Sequence, residues 1–349
     1  MKFHVGVIGA TGFIGSAYRD EIRQTSLDAK IVALCARNRD RLEAAAREDA
    51  CDFITGDWRQ VVDHPKVDLV IVTTPDALHH EAVMASARNG KHLFCDKPIG
   101  VNVNQAYEMR QAYQEAKLAH FVPFWARYEA SFLRAKEIVD AGTLGEIKSI
   151  IYRWQNPRPT AMPFTWRDDA ALSAGGSIAD VGSHAYDAVR WITGTEAKRV
   201  LAHADIITPA KPNLGAIYLN DAIEWGGSHN IAESDKLRKG TTFDYATIAW
   251  EFQNGAVGAA ILSHAPILRK GLAPELELHG TLASLALDRI ASTIALIHPG
   301  QDVPQVEPVE NAGPTNRFAN YVFPSLRRHM SGDVPDHPCM EDGWRVQIF

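Results

Sequence analysis

An acid and an imidazole, Asp180 and His184, stand four residues apart behind a glycine pair in Ala174-Gly-Gly-Ser-Ile-Ala-Asp180-Val-Gly-Ser-His184-Ala-Tyr-Asp187. At helical spacing, residues i and i+4 share one face, so the Asp180 carboxylate can orient and polarise the His184 ring for proton transfer. The commoner use of such spacing is a solvated helix contact. A cofactor and a charged partner elsewhere in the chain would decide between the two.

A strand-like Val5-Gly-Val-Ile8 runs into Gly9-Ala-Thr11-Gly12-Phe13-Ile14-Gly15, a glycine-rich turn that opens a helix. Glycine permits tight turning and close backbone approach, so a pyrophosphate can accept from N–H groups at the positive end of that helix. The spacing is GxxGxxG, one residue longer than GxGxxG between its first two glycines. Gly9, Thr11, Gly12, Phe13 and Ile14 are the expected contacts. Past the second apolar run, where an acid would bind the ribose 2'-hydroxyl of NAD, the chain has Cys35-Ala-Arg37-Asn-Arg39. No acid stands there to repel a 2'-phosphate, and Arg37, with Arg39, can pair with one, which favours NADP over NAD. On the plainer reading both arginines begin a solvated helix.

Those residues need a scaffold. From Val5 to Pro123 apolar runs (Val5-Ile8, Ile31-Ala36, Leu69-Thr73, His92-Cys95, Ala119-Pro123) alternate with amphipathic stretches (Phe13-Gln24, Arg39-Glu48, Leu78-Asn89, Asn104-Ala116). This alternation predicts a doubly wound parallel sheet, a Rossmann arrangement with helices on both faces. Beyond Gly142, Glu146-Trp154, Thr241-Phe252, Ala256-His264, Glu275-His279 and Ser284-Leu287 read as strands, and Ile178-Ile192 as the main helix. Pro209 to Gly240, rich in turn residues, reads as a loop that moves, joins a subunit contact or covers the site.

A chain of 349 residues with 46% hydrophobic content supplies two cores, here divided as residues 1–124 and 125–349. The net charge of -6 gives no basic stripe for nucleic acid, and no apolar run reaches membrane-spanning length. Met1-Lys-Phe-His4 leads straight into a strand with no secretory pattern, so a cytoplasmic location is expected. Cys35, Cys51, Cys95 and Cys339 form no CxxC pair, which suits a reducing compartment and gives no metal framework; no metal is expected. The expected partners are small molecules and copies of the chain.

Thr73-Thr74-Pro75-Asp-Ala-Leu-His79-His80-Glu81 and Gly90-Lys-His-Leu-Phe-Cys-Asp96-Lys97-Pro98 carry a resemblance, joined by Asp180-x-Gly-x-His184. The chain resembles the glucose-fructose oxidoreductase / inositol dehydrogenase / rhizopine catabolism family, written Gfo/Idh/MocA. Trp125-Ala-Arg127-Tyr128, Gly142-Thr-Leu-Gly145-Glu-Ile147, Asp244 to Gly258 and Asp342-Gly-Trp-Arg-Val-Gln347 follow in the family's order. The resemblance implies a Rossmann domain and then an α/β domain with a large open, mainly antiparallel sheet, and homodimers or homotetramers formed through that sheet. It places Lys97, Asp180 and His184 at the catalytic site and Thr74, Pro75, His79, Asp96 and Lys97 beside the cofactor. Three departures stand out: the longer glycine loop, Asp96 where the family has Glu, and an end at Phe349 where relatives continue into a closing helix, implying a clipped or differently packed end.

Hydride transfer between a carbinol and a nicotinamide needs a proton acceptor for the hydroxyl and positive charge near the developing alkoxide. His184 suits the first need, since its ordinary pKa lies near neutrality. Lys97, after a strand's carboxyl end, suits the second, and Asp180 binds a neighbouring hydroxyl or holds the other two in register. Arg127, Tyr128, Arg158, Trp166 and Arg167 have the donors and aromatic faces of a pocket for a polyhydroxylated or carboxylated substrate. His80 is expected to point away, and Asp187 to make a structural hydrogen bond. The expected function is NAD(P)-dependent oxidation of a sugar, cyclitol or related hydroxy compound. Two alternatives stand beside it: a glycosidase or lyase that retains its nicotinamide, and a non-enzymatic cofactor sensor.

Overall fold

The computed structural model describes residues 2–173, 175–234, 236–310 and 315–349. Its first domain runs β1 (Phe3–Ile8), α1 (Phe13–Arg23), β2 (Ala29–Cys35), α2 (Arg39–Asp49), β3 (Ile54–Thr55), α3 (Trp58–Val62), β4 (Leu69–Val72), α4 (His79–Arg88), β5 (His92–Cys95), α5 (Val103–Ala116) and β6 (His120–Phe121). The strands are parallel in the order β3-β2-β1-β4-β5-β6, and every residue of β4 is buried because helices cover both faces. The strand order reverses between β1 and β4, which opens a crevice at their carboxyl ends. This is the Rossmann sheet that the alternation predicts. The short pair β3 and α3 was not foreseen, because two residues of strand carry no period.

The second domain comprises α6 (Ala130–Asp140), β7 (Ile147–Gln155), α7 (Ser183–Thr193), β8 (Ala197–Asp205), β9 (Lys211–Pro212), α8 (Leu219–Ser228), β10 (Leu237–Arg238), β11 (Tyr245–Phe252), β12 (Val257–Ser263), β13 (Leu276–Gly280), β14 (Ser284–Asp288), β15 (Thr293–Ile297) and β16 (Gln305–Pro308). Eight strands form the open sheet β16-β15-β14-β13-β7-β12-β11-β8, antiparallel except where β7 meets β12. Ala246, Ile248, Trp250 and Phe252 of β11 point into the core, while Ala249 and, on β12, Val257 and Ala259 lie exposed on the other face. Edge strand β8 is exposed along most of its length, with Leu201 78% exposed, and so lacks the alternation that marks a strand in sequence.

Residues 209–240 depart from the loop expected of them. They form an arm in which β9 and β10 pair as a two-stranded ribbon and α8 stands between them. Leu219 and Ala222, three apart, share one helix face and bury against Met162, giving the arm a small core of its own.

The helices α9 (Phe323–Met330) and α10 (Met340–Ile348) return to the first domain. Phe323 stacks on Phe3 at 5.3 Å, Phe318 joins Tyr18 and Phe94, and Trp344 on α10 meets Tyr107 of α5. The core of residues 1–124 is therefore completed from the far end of the chain. Phe349 stacks on Tyr186 at 4.0 Å.

Candidate active site

The glycine loop lies tightly against the end of β4. Gly9 has φ +88°, where a side chain is strained, and a Cβ there would stand 2.8 Å from the Thr73 backbone; a Cβ on Gly15 would stand 2.3 Å from the Gly9 carbonyl. Gly12 caps α1 without any side-chain hydrogen bond, so the first-turn N–H groups of that helix are open to an anion. A dinucleotide pyrophosphate fits this cradle. Phe13 is 53% exposed at its rim, Ile14 packs against the core beneath, and the Thr11 hydroxyl lies 3.0 Å from that of Tyr218 on the arm.

Beyond β2, Asn38 caps α2 by accepting from the Arg41 N–H at 2.9 Å. Arg39 pairs with Glu43 one turn on, exposed to solvent, which is the plain reading of that arginine. Arg37 is exposed beside the strand end. Pro75 leads into a 3-10 turn, and the Thr74 hydroxyl is buried with no hydrogen-bond partner among the described residues.

His79 departs from its expected role of lining the cofactor cleft. Only 1% exposed, its ring lies between the carbonyls of Thr74 (2.8 Å) and Pro98 (3.1 Å), so it ties two loops of the cleft wall together. His80 points away, to Glu108 at 2.7 Å. Asp96 accepts from the Lys97 N–H at 3.0 Å, and burial pushes its carboxyl above the ordinary range.

Lys97 leaves the carboxyl end of β5 and crosses to the second domain, where its ammonium donates to the Asp180 carboxylate at 2.7 Å and to the Asp180 carbonyl at 2.8 Å. The segment bearing Asp180 is held against β11's approach by Ser177 donating to the Phe243 carbonyl at 2.7 Å. That approach needs Gly176, whose Cβ would sit 1.9 Å from the same oxygen. Asp180 is the hub of a buried cluster: Arg167 reaches Oδ1 at 3.1 Å, while Arg158 (3.2 Å) and His264 Nε2 (3.0 Å) face Oδ2. Burial alone would raise its carboxyl pKa, but Arg167, Lys97 and His264 outweigh that and hold it well below the carboxylate range.

The expected partnership of Asp180 with His184 takes a different form. Ile178–Gly182 forms a π-helical turn and α7 begins only at Ser183, so the i, i+4 register is broken between the two residues. His184 instead lies against Trp154 (5.4 Å between ring centres) and edge-on to Phe124 (6.1 Å), with Nδ1 buried and unpartnered among the described residues. Burial first and then the Lys97 charge push its pKa well below 6.5, so the ring is neutral at pH 7. Asp180 acts on it through the field and not through a hydrogen bond.

Two expected pocket residues belong elsewhere. Arg127 is spent on a buried ion-pair network, bidentate to Asp187 (2.8 and 2.6 Å) and bonded to Asp342 (2.7 Å), because a buried carboxylate on α7 needs a cation. Asp187 has the structural role expected of it. Tyr128 stacks on Tyr321 at 4.3 Å in the first domain's aromatic cluster. Trp166 carries the Arg167 guanidinium over its ring at 4.5 Å, bracing a residue that reaches Asp180. His264, just past β12, escaped notice in sequence, since nothing local sets it apart from thirteen other histidines.

The sequence model described as the oxidoreductase family with an NAD-binding Rossmann fold, GFO_IDH_MocA, matches residues 3–124, and that of the GFO/IDH/MocA C-terminal domain matches residues 132–286. A levoglucosan dehydrogenase of Pseudarthrobacter phenanthrenivorans is 26% identical over 300 residues, covering 82% of this chain and 74% of that protein. A myo-inositol 2-dehydrogenase of Thermotoga maritima is 24% identical over 293 residues, covering 84% and 77%. Among solved structures, an oxidoreductase domain protein from Kribbella flavida shares the fold with a TM-score of 0.84 at 23% identity, covering 99% of this chain and 94% of that one. A levoglucosan dehydrogenase in complex with NADH and levoglucosan has a TM-score of 0.81 at 20% identity, covering 99% and 95%. With both family domains matched in order around a glycine cradle and the Lys97–Asp180 bridge between domains, the chain belongs to the Gfo/Idh/MocA oxidoreductase family.

Proposed function

We propose that this protein is an NAD(P)-dependent dehydrogenase that exchanges a hydride between a nicotinamide cofactor and a carbinol of a sugar, cyclitol or related polyhydroxy compound. The observation that carries this is the pairing of a clamped ammonium, Lys97 Nζ on Asp180, with a neutral, half-buried imidazole, His184, whose Nδ1 is buried and has no partner among the described residues. Gly9, Gly12 and the open first turn of α1 would hold the pyrophosphate, and Thr74, Pro75 and Lys97 would face the nicotinamide half. When bound, the nicotinamide supplies the hydride acceptor. Lys97 steadies the substrate oxygen as negative charge develops on it, and Asp180 fixes the ammonium in place. His184 takes the hydroxyl proton, a step its neutral form permits. Arg158 and Arg167, set on either oxygen of Asp180, suit a substrate rich in hydroxyls or bearing a carboxylate.

Arg37, exposed beside β2 with no acid at the end of that strand, supports NADP over NAD. The uncovered apolar face of the open sheet, including Ala249, Val257 and Ala259, supports a homodimer or homotetramer formed through it. The direct test is a panel of polyols, sugars and sugar acids assayed with NAD and NADP by cofactor absorbance. Stoichiometric reduction that vanishes in Lys97→Ala and His184→Ala supports the reading. Turnover without net reduction, or a rate unchanged in both variants, overturns it.

A further inference from the structure

The arm of residues 209–240 ends against the cofactor half of the molecule, and three contacts fix it there. The Tyr218 hydroxyl lies 3.0 Å from Thr11 Oγ1 in the glycine loop. The Arg41 guanidinium, in the first turn of α2, lies over the Tyr218 ring at 4.2 Å. The same guanidinium donates to Asp221 at 2.5 Å, on the first turn of α8. A dinucleotide on this fold runs from the pyrophosphate at the glycine loop to the adenosine ribose at the end of β2. Thr11 stands at the first of these points, and α2, which carries Arg41, starts at the second. The arm therefore crosses the path of the adenosine half.

We propose that the second domain completes the dinucleotide site through this arm, with Tyr218 and Arg41 as cofactor-binding residues that latch the adenosine diphosphate half in place. The inference rests on the dehydrogenase reading and adds to it. The Tyr218 hydroxyl is placed beside the uncapped first turn of α1, where it donates to a pyrophosphate oxygen. Arg41 adds positive charge on the outer side, and Asp221 holds that guanidinium over the tyrosine ring. A contact between two hydroxyls that both hold donors is readily exchanged for one to an anion, whereas the Arg41–Asp221 pair keeps the arm in register.

The foot of the arm is anchored on the loop that carries Arg167. Lys211 Nζ bonds Asp168 at 2.6 Å, the Pro212 carbonyl accepts from the Phe164 N–H at 2.8 Å, and Arg238 pairs with Asp169 at 2.9 Å. The same arm thus touches the glycine loop at its tip and the neighbour of an Asp180 partner at its foot, which puts cofactor seating and the Arg167 loop on one connected element.

The test uses the full chain, wild type and the variants Tyr218→Phe, Tyr218→Ala and Asp221→Asn, with ADP-ribose and nicotinamide mononucleotide as separate probes. Calorimetry reads their affinities, and stopped-flow displacement reads NADH and NADPH release. Removing the hydroxyl in Tyr218→Phe should weaken ADP-ribose and speed release of both dinucleotides roughly fivefold, and Tyr218→Ala more than tenfold, as expected for one charge-assisted hydrogen bond and then the ring as well. Mononucleotide affinity should not move. Equal release rates in wild type, Tyr218→Phe and Tyr218→Ala overturn the latch while leaving the dehydrogenase reading intact. Failure of the wild type to bind ADP-ribose or either dinucleotide overturns both. Because Tyr218→Phe keeps the ring over Arg41, it decides the matter even where Tyr218→Ala is poorly folded.

Discussion

Asp180→Asn isolates the charge at the centre of the proposed site. The substitution keeps shape and volume, yet it removes the carboxylate that meets Lys97 at 2.7 Å, Arg167 at 3.1 Å and Arg158 at 3.2 Å. An amide must also turn its NH2 toward one pair of donors. Removing one partner of a buried ion pair costs about 3–5 kcal/mol, because the charges left behind are neither solvated nor paired. At 2–4 °C per kcal/mol for large domains, the melting temperature should fall by roughly 6–20 °C. The pH dependence gives an independent check. The folded-state pKa of Asp180 is depressed, so its stabilisation is fully present above the unfolded value of about 3.9 and is lost as pH falls through the folded value. Stability curves of wild type and Asp180→Asn should therefore lie apart at pH 7 and converge in strong acid. Chemical denaturation followed by circular dichroism at both pH values measures this. A loss below about 1 kcal/mol at pH 7 would mean that water screens the cluster, and the case for a dry, preorganised site would fail.

Arg127→Met should cost several kcal/mol of stability by leaving Asp187 and Asp342 to share Arg190 as their one remaining described cation, while leaving the substrate KM near wild type; a large KM change would return Arg127 to the pocket. Gly15→Ala should abolish dinucleotide binding in a titration, since its Cβ would stand 2.3 Å from the Gly9 carbonyl that shapes the loop. Arg37→Ala should weaken NADPH by about tenfold or more and NADH hardly at all, as measured by fluorescence titration, the loss expected for a phosphate contact. His120 is buried with its pKa pushed down to about 3, by burial first, so its contribution is present above the unfolded value of about 6.5 and is lost as pH falls toward 3. Denaturant unfolding between pH 6 and 4 should show a decline in stability that is shallower in His120→Asn than in wild type by about 1.4 kcal/mol per pH unit.

Much of the first domain could be read directly from residue order. β5 coincides with the apolar run His92-Cys95, and α1 and α2 match their amphipathic stretches to within a residue at each end, because buried parallel strands are continuous apolar runs and their covering helices carry a 3.6-residue period. The glycine turn, Lys97, Asp180 and His184 were legible for a related reason: a strand's carboxyl end and a helix start are local events. Edge strand β8 and helix α8 were not legible, since the first is wetted along most of its length and the second owes its stability to Met162, far off in sequence.

Sequence by itself determined which groups could do chemistry and the kind of cradle that precedes them, since both follow from residue type and short spacing. Tertiary structure alone decided which of them meet. It gave Arg127 to Asp187, Tyr128 to Tyr321, and brought His264 and Arg158 to Asp180 from the segments that follow β12 and β7. It also replaced the one-turn contact between Asp180 and His184 with a π-helical turn that sends the carboxylate to Lys97 and leaves the imidazole neutral. The physical reason is the same in each instance. A buried charge must find its counter-charge wherever the fold places one, and that place is not written in local spacing.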